Sequence, residues 1–513
     1  MAGGSFAGHG PPALVSASRP PQAADEHGKV VYFFDSGMDR SSKARTWGRA
    51  RSMTGFLSAG VLGAGLLASP VLHAAGPITK GPWVQRVTSS SAIVRVETDP
   101  PSPVTIELGL GGRDGEGGRT IFESAEPRAL HAITVEGLEP RTRYPYSVRS
   151  GTSSKYGAFV TAPSDDSDAP FRFLVYGDNR SDGAAHAAVV RAMVPVASDF
   201  LVHTGDFVED GGSRDQWQSF FEIESPLLST RCLFSCVGNH ELTDGSGIAY
   251  ARFFGPTDPP PGADPARAAK NAPAAARPEH LDGTYRWGNA RFFFINGMVS
   301  YQGTVDRSWL EKALADADEE KNLTWRVVVV HHGPWSSGPH GNNKRLHDAG
   351  VIPLLVKHKV DLVISGHDHI YERGWSDGLA YLVSGGGGAP TYKIKSKLPQ
   401  SRTVESVHHF VDVKVSASSM QLVATRLDGS TIERCGLSKS AVGWDCDAPA
   451  PSPTGAGMPV SSGAPTGPSN APPSASRCAC DAVGAGARSG VAGGLGLMVA
   501  GTLVMRRRRA RSA

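Results

Sequence analysis

Between residues 77 and 163 apolar and polar positions alternate. SSAIVRVETD sets Ile93, Val94 and Val96 among polar neighbours, PVTIELGL and HAITVEGL repeat the pattern, and Gly, Pro and Ser break it at intervals. Short runs of period two predict half-buried strands, so this part reads as all-β. From residue 170 the rhythm changes. Seven near-continuous apolar runs follow: FRFLVYGD, DFLVHTGD, RCLFSCVGNH, ARFFFINGM, WRVVVVHHG, VDLVISGHDH and LAYLVSGGGG. Between them DRSWLEKALADADEE and LHDAGVIPLLVKH keep helical spacing, as at Trp309, Leu310, Ala313 and Leu314. Strands without polar alternation are covered on both faces. Residues 170–445 therefore predict a layered α/β domain, interrupted at 255–280 by a Pro/Ala-rich surface loop close enough to the GNHE run to wall a site.

Five of those apolar runs end alike, in a residue that coordinates metals or carries protons. These are Asp178, Asp206, Asn239 with His240, His331 with His332, and His367 with His369. In α/β sheets ligands gather outside the carboxyl ends of strands, so folding is expected to collect these side chains. Glycines 177, 205, 238 and 366 beside them are expected to let the backbone turn sharply. A mixed set of acids, an amide and imidazoles, without thiolates, suits Zn, Mn or Fe.

Charge narrows the partners. The net charge is +3, but the five C-terminal arginines carry +5 and the stretch from Asp39 to Arg51 carries +4, leaving −6 for everything else. A mildly acidic body argues against a nucleic-acid partner held through phosphates. The ends read as targeting segments. Residues 38–75 run basic, apolar, then small, the order of a signal peptide, and residues 1–37 read as an over-extended start with Met38 as initiator. Residues 447–488 are a Pro/Gly/Ser-rich linker. Residues 489–513 join an uncharged apolar run to RRRR, a short membrane span with a basic stop. Of six cysteines, Cys435 and Cys446 enclose a short polar loop and are candidates for a disulfide. Cys232 and Cys236 share a predicted strand, where about 3.3 Å per residue puts them out of bridging range.

The ordered set YGDNR, TGDFVEDG, VGNHE, VVHHGPW and SGHDHIYER resembles the calcineurin-like metallophosphoesterase superfamily, and the HxPW and GHxHxYER forms resemble its purple acid phosphatase-like branch. The resemblance spans roughly residues 77–430. It implies a four-layer αββα metallophosphoesterase sandwich of the α/β (α+β) class, preceded by a small fibronectin III-like sandwich over 77–163, with Tyr144 at a corner. It implies two transition metals, Fe, Zn or Mn. Asp178 and His369 would hold the first, Asn239, His332 and His367 the second, and Asp206 would bridge them. His332 is preferred to His331 because only His332-Gly333-Pro334-Trp335 fits the HxPW spacing. His240 would protonate the leaving group, and His340 would stand on the substrate side. Arg180 is a candidate for the phosphate, its other reading being a solvated turn residue. The family's GDxxY tyrosine is replaced by Glu209, so no purple colour is expected, and Glu209, Asn179 or water would complete the first site. The C-terminal tail, with RCACD ahead of it, resembles MYXO-CTERM sorting tails, which implies processing at Cys478 or Cys480 by a sorting protease.

These readings add up to an exported, surface-anchored phosphatase. It would act on small phosphomonoesters through a metal pair that lowers a water's pKa toward neutrality. Two alternatives stand beside it. One is a phosphodiesterase or nucleotide-cleaving enzyme with the same centre, and the other is an inert surface-binding protein.

Overall fold

A computed structural model describes residues 75–109, 118–245, 247–255, 281–297 and 307–446. The signal-like segment, most of the 255–280 insertion, the linker and the sorting-like tail lie outside these residues. Among the described residues no helix is long and apolar enough to cross a membrane.

The alternating region forms β1 (Ile78–Gln85), β2 (Ser91–Gly109), β3 (Arg119–Glu136), β4 (Arg143–Ser150) and β5 (Ser153–Val160). Next come β6 (Phe171–Tyr176), α1 (Gly183–Met193), β7 (Phe200–His203), α2 (Arg214–Leu228), β8 (Cys232–Ser235) and α3 (Ile248–Phe253). The chain continues through β9 (Gly283–Trp287), β10 (Ala290–Ile295), α4 (Arg307–Asp318), β11 (Trp325–His332), α5 (Lys344–Asp348) and α6 (Val351–Lys357). It ends with β12 (Leu362–Gly366), β13 (Tyr371–Ser376), β14 (Leu379–Ser384), β15 (Ser401–Glu405), β16 (His409–Val415), β17 (Ser419–Arg426), β18 (Thr431–Ser438) and β19 (Asp445–Cys446). The run LHDAGVIPLLVKH, expected as one helix, is two. Gly350 sits between them in the left-handed region (φ 66°), a conformation that breaks helical continuity at little cost to glycine.

Two mixed sheets result. The first has the order β19-β18-β17-β16-β6-β7-β8-β1-β2-β4-β5, with β3 also on β2; the second has the order β15-β13-β14-β12-β11-β10-β9. β6, β7 and β8 are parallel, as are β10, β11, β12 and β14.

The parity of residues along these strands builds the layers. Phe173, Val175, Phe200, Val202 and Phe234 of the first sheet share one buried cluster with Phe292, Phe294, Val327, Val329, Leu362 and Ile364 of the second. Phe173 meets Phe292 edge to face across the gap, with ring centroids 5.3 Å apart. The residues between them point the other way. Leu174, Tyr176 and Leu201 pack under α1 and α2 with Val190, Trp217 and Phe221, whereas Phe293, Val328, Val330 and Val363 pack under α4 and α6 with Leu310, Leu314 and Leu355. Three apolar interfaces separate four layers, the αββα arrangement that the resemblance implied. Each buried large side chain contributes roughly 1.5–3 kcal/mol.

The N-terminal strands hydrogen-bond to one another, and Val84 of β1 pairs with Cys232 of β8, so they continue the first sheet instead of closing off alone. Trp83 packs 4.7 Å from Phe221 of α2 and ties the two parts together. Tyr144 is buried, and its hydroxyl accepts from the Glu139 N–H at 2.7 Å, a corner contact of the expected kind. Cys435 and Cys446 are joined in a disulfide between β18 and β19, and Cys232 and Cys236 are buried free thiols.

Candidate metal centre

The carboxyl ends of β6, β7 and β8 in one sheet, and of β11 and β12 in the other, open onto one edge of the sandwich. Asp178, Asp206 and Asn239 come from the first sheet; His331, His367 and His369 come from the second. Asp206, His331 and His367 present ligand atoms all within 4.8 Å of one another. His331 Nε2 lies 3.3 Å from Asp206 Oδ1, 3.1 Å from Asn239 Oδ1, 3.1 Å from His367 Nδ1 and 4.0 Å from Asp178 Oδ1. His369 Nε2 lies 3.8 Å from Asp178 Oδ1.

His332 is not in this cluster. Its Nε2 donates to the Gly341 carbonyl at 3.0 Å, and its ring stands at the rim, 4.4 Å from the His367 ring. The cause is strand parity. Val327, Val329 and His331 face the other sheet, whereas Val328, Val330 and His332 face away, so the HxPW spacing selected the wrong neighbour. Asn179 is also corrected as a replacement ligand: its amide is taken up by His186 at 2.6 Å and His203 at 2.8 Å, in the floor beneath the site.

Gly205 makes the turn expected of it, with φ of 95°, and the functional residues themselves make the others. Asp178, Asp206 and His367 all have left-handed backbone, with φ of 57°, 57° and 69°. Such conformations in non-glycine residues cost of order 1–3 kcal/mol each and collect at sites that the surroundings over-determine. Gly238 and Gly366 serve another purpose than the turns expected of them. A Cβ on Gly366 would stand 2.2 Å from Asp178 Oδ2, and one on Gly238 would stand 2.1 Å from Asp206 Oδ1.

Buried acids to which the sequence reading gave no role hold this geometry. The Glu241 carboxylate accepts from the N–H groups of Asp206 (2.9 Å), Phe207 (2.8 Å) and Gly238 (2.8 Å), clamping the Asp206 and Asn239 loops together. Burial, then the charge of Asp206, pushes its pKa up to about 7. Asp368 accepts from His340 Nδ1 at 2.8 Å, and Glu372 accepts from the Ser337 N–H at 2.6 Å, so both secure the loop that carries His340. Acids next to motif residues were the available signal.

The electrostatics match the geometry. Burial opposes ionisation of Asp206, but facing His331 and His240 overcome it and hold the carboxylate well below its usual range. At Asp178 burial dominates and raises the pKa. Burial disfavours the His331 cation, yet Asp206 and Asp178 push its pKa up to about 9. His367 is lowered by burial and then by His331, and His369 falls to about 4 through burial.

The donor set fits metal ions. His331 donates Nδ1–H to the Thr204 carbonyl at 2.7 Å, and His369 donates to the Pro390 carbonyl at 2.7 Å. Both Nε2 atoms are thereby turned inward, the orientation that outer hydrogen bonds impose on ligating imidazoles. Asp206, Asn239, His331 and His367 bring donor atoms to one point, where a cation would take the place of the proton that Asp206 and Asp178 hold on His331.

Around the cluster, His240 Nδ1 bonds the Glu209 carbonyl at 2.7 Å, with Nε2 3.9 Å from Asp206 Oδ2. Arg180 Nε donates to Asp206 Oδ2 at 3.2 Å and its Nη1 pairs with Glu209; its side chain is 13% exposed, so it is no solvated turn residue. Glu209, at the position of the absent tyrosine, is engaged by Arg180 and Ser181.

Residues 171–371 match the calcineurin-like phosphoesterase family. The chain carries a calcineurin-like phosphoesterase domain. Its relatives include an uncharacterized protein of Mycobacterium tuberculosis, 26% identical over 57% of this chain and 64% of the relative, so the chain spans less than two thirds of that protein's length. Purple acid phosphatase 23 of Arabidopsis thaliana is 25% identical over 57% of this chain and 71% of its own. A purple acid phosphatase from yellow lupin (Lupinus luteus) seeds shares this fold, with TM-score 0.55, 18% identity and coverage of 71% and 74% of the two chains.

Proposed function

We propose that the chain is a metal-dependent phosphatase that hydrolyses small phosphomonoesters at a dinuclear centre. The observation that carries this reading is the convergence of His331 Nε2 with Asp206 and Asn239 across the two sheets, at 3.3 and 3.1 Å. Asp178, Asp206 and His369 would hold one cation, and Asp206, Asn239, His331 and His367 the other. When bound, such a pair supplies Lewis acidity toward the phosphoryl oxygens and a nucleophile at neutral pH.

The protein's own residues do the rest. Asp206 faces the second site through Oδ1, where His331 and Asn239 meet, and Arg180 through Oδ2. The Arg180 guanidinium, held beside the centre by Asp206 and Glu209, is placed to pair with a phosphate oxygen. His240, oriented by the Glu209 carbonyl, turns Nε2 toward the centre and gives a proton to the departing alkoxide. His340, fixed by Asp368, closes the substrate side.

Export to the cell surface, with anchoring through the C-terminal tail and processing at its cysteine motif, belongs to the same proposal and rests on residues 38–75 and 447–513 alone. The full chain, loaded in turn with Fe, Zn and Mn and offered phosphomonoesters, diesters and nucleotides, tests the activity. Monoester turnover abolished by chelation is the expected result. A loaded protein that hydrolyses no ester overturns the enzyme reading, and preference for diesters overturns the substrate class. Fractionation of the native cells, with the protein expected in the envelope, tests the location.

A further inference from the structure

The loop after β14, residues 385–392, supplies none of the proposed ligands, yet it runs across the back of the centre. Gly387 N–H donates to the Gly177 carbonyl and Ala389 N–H to the Asp178 carbonyl, each at 2.8 Å. Two residues then embrace His369. The Pro390 carbonyl accepts from its Nδ1, and the Tyr392 N–H donates to its carbonyl at 3.1 Å. The Tyr392 ring lies flat on the His369 imidazole, with centroids 4.0 Å apart and planes 15° apart. It also meets the His340 ring at 5.5 Å and 62°. Among the described residues its hydroxyl has no hydrogen-bond partner. It lies within electrostatic reach of Arg180, Asp178, Asp368 and Asp206, which are groups of the proposed centre and of its substrate side.

We propose that Tyr392 serves the centre twice: its ring fixes the plane of His369, and its hydroxyl donates to a phosphoryl oxygen of the bound ester. The second role rests on the phosphoesterase reading; the first rests on the stack alone. A phenol stays neutral below pH ~10, so it offers an O–H to an anion without adding charge. Arg180 supplies the charge, and Tyr392 supplies a directed donor from a ring that His369 and His340 flank. The flat stack restricts rotation of His369, whose Nδ1 is already held, and so adds a second restraint on its Nε2.

The test uses the full metal-loaded chain, its Tyr392→Phe and Tyr392→Leu variants, metal content by elemental analysis, and calorimetric binding of inorganic phosphate. Tyr392→Phe keeps the stack and is expected to retain both metals while phosphate affinity falls roughly tenfold, the scale of one hydrogen bond to a charged acceptor. Tyr392→Leu is expected to weaken one metal by about tenfold or more as well, a loss that phenylalanine rescues. Unchanged phosphate affinity in Tyr392→Phe overturns the role of the hydroxyl. Wild-type metal affinity in Tyr392→Leu overturns that of the ring. Failure of the loaded wild type to bind phosphate overturns the phosphoesterase reading, and the hydroxyl's role with it.

Discussion

His331 Nε2 lies 3.3 Å from Asp206 Oδ1, although one belongs to the second sheet and the other to the first. Its neighbour His332 turns away to the Gly341 carbonyl. Replacing His331 with alanine should lower affinity for one metal by more than about a hundredfold, beyond the effect of removing an outer partner. His332→Ala should keep the metals. Metal content after dialysis decides between them, and the opposite pattern would restore the HxPW assignment.

The parity of β11 shows how much was legible. The alternation Val327, Val329, His331 is present in the sequence and selects His331, whereas the HxPW spacing points one residue further on. The layers were readable because each strand carries two apolar faces. The ends of β6, β7, β8, β11 and β12 were readable because each closes on a polar residue. The Glu241, Asp368 and Tyr392 contacts were not, because they depend on loop paths that no periodicity encodes. The continuation of the first sheet into β1 rests on a pairing between Val84 and Cys232, across 148 residues of chain, that the all-β pattern could not announce.

Glu241 should prove a structural clamp. Glu241→Ala leaves the N–H groups of Asp206, Phe207 and Gly238 without their acceptor. It should cost about 3 kcal/mol or more, at roughly 1–3 kcal/mol per buried unsatisfied group. Glu241→Gln, which keeps one acceptor oxygen, should fall between. Denaturant unfolding measures both.

His240→Ala should slow hydrolysis of alkyl phosphates by about 10²–10⁴-fold and aryl phosphates with good leaving groups far less, because only the former need a proton on the departing oxygen. Equal slowing across a leaving-group series would assign the proton elsewhere.

Glu209 occupies the position where purple acid phosphatases carry tyrosine. Iron-loaded wild type is expected to show no tyrosinate charge-transfer band in the visible, and Glu209→Tyr is expected to gain one. A coloured wild type would point to another phenolate on the metal.

His409, the first residue of β16, is buried with Nε2 3.1 Å from Ser384 Oγ at the end of β14, and burial lowers its pKa to about 4. The unfolded chain therefore binds more protons between its ordinary value near 6.5 and 4, so stability falls as pH drops through that window. The loss should be about 3 kcal/mol, at roughly 1.36 kcal/mol for each pH unit the window spans. His409→Gln should flatten the slope, measured by denaturant midpoints at pH 7, 5.5 and 4.

The proposed cation-binding groups are drawn from two walls whose shared buried interface includes the aromatic seam of Phe173, Phe200 and Phe292. Neither half of the polypeptide, expressed alone, would then own a working pocket. If the proposed activity holds, turnover becomes a gauge of that interface: whatever pries it open should silence turnover and release metal in the same step.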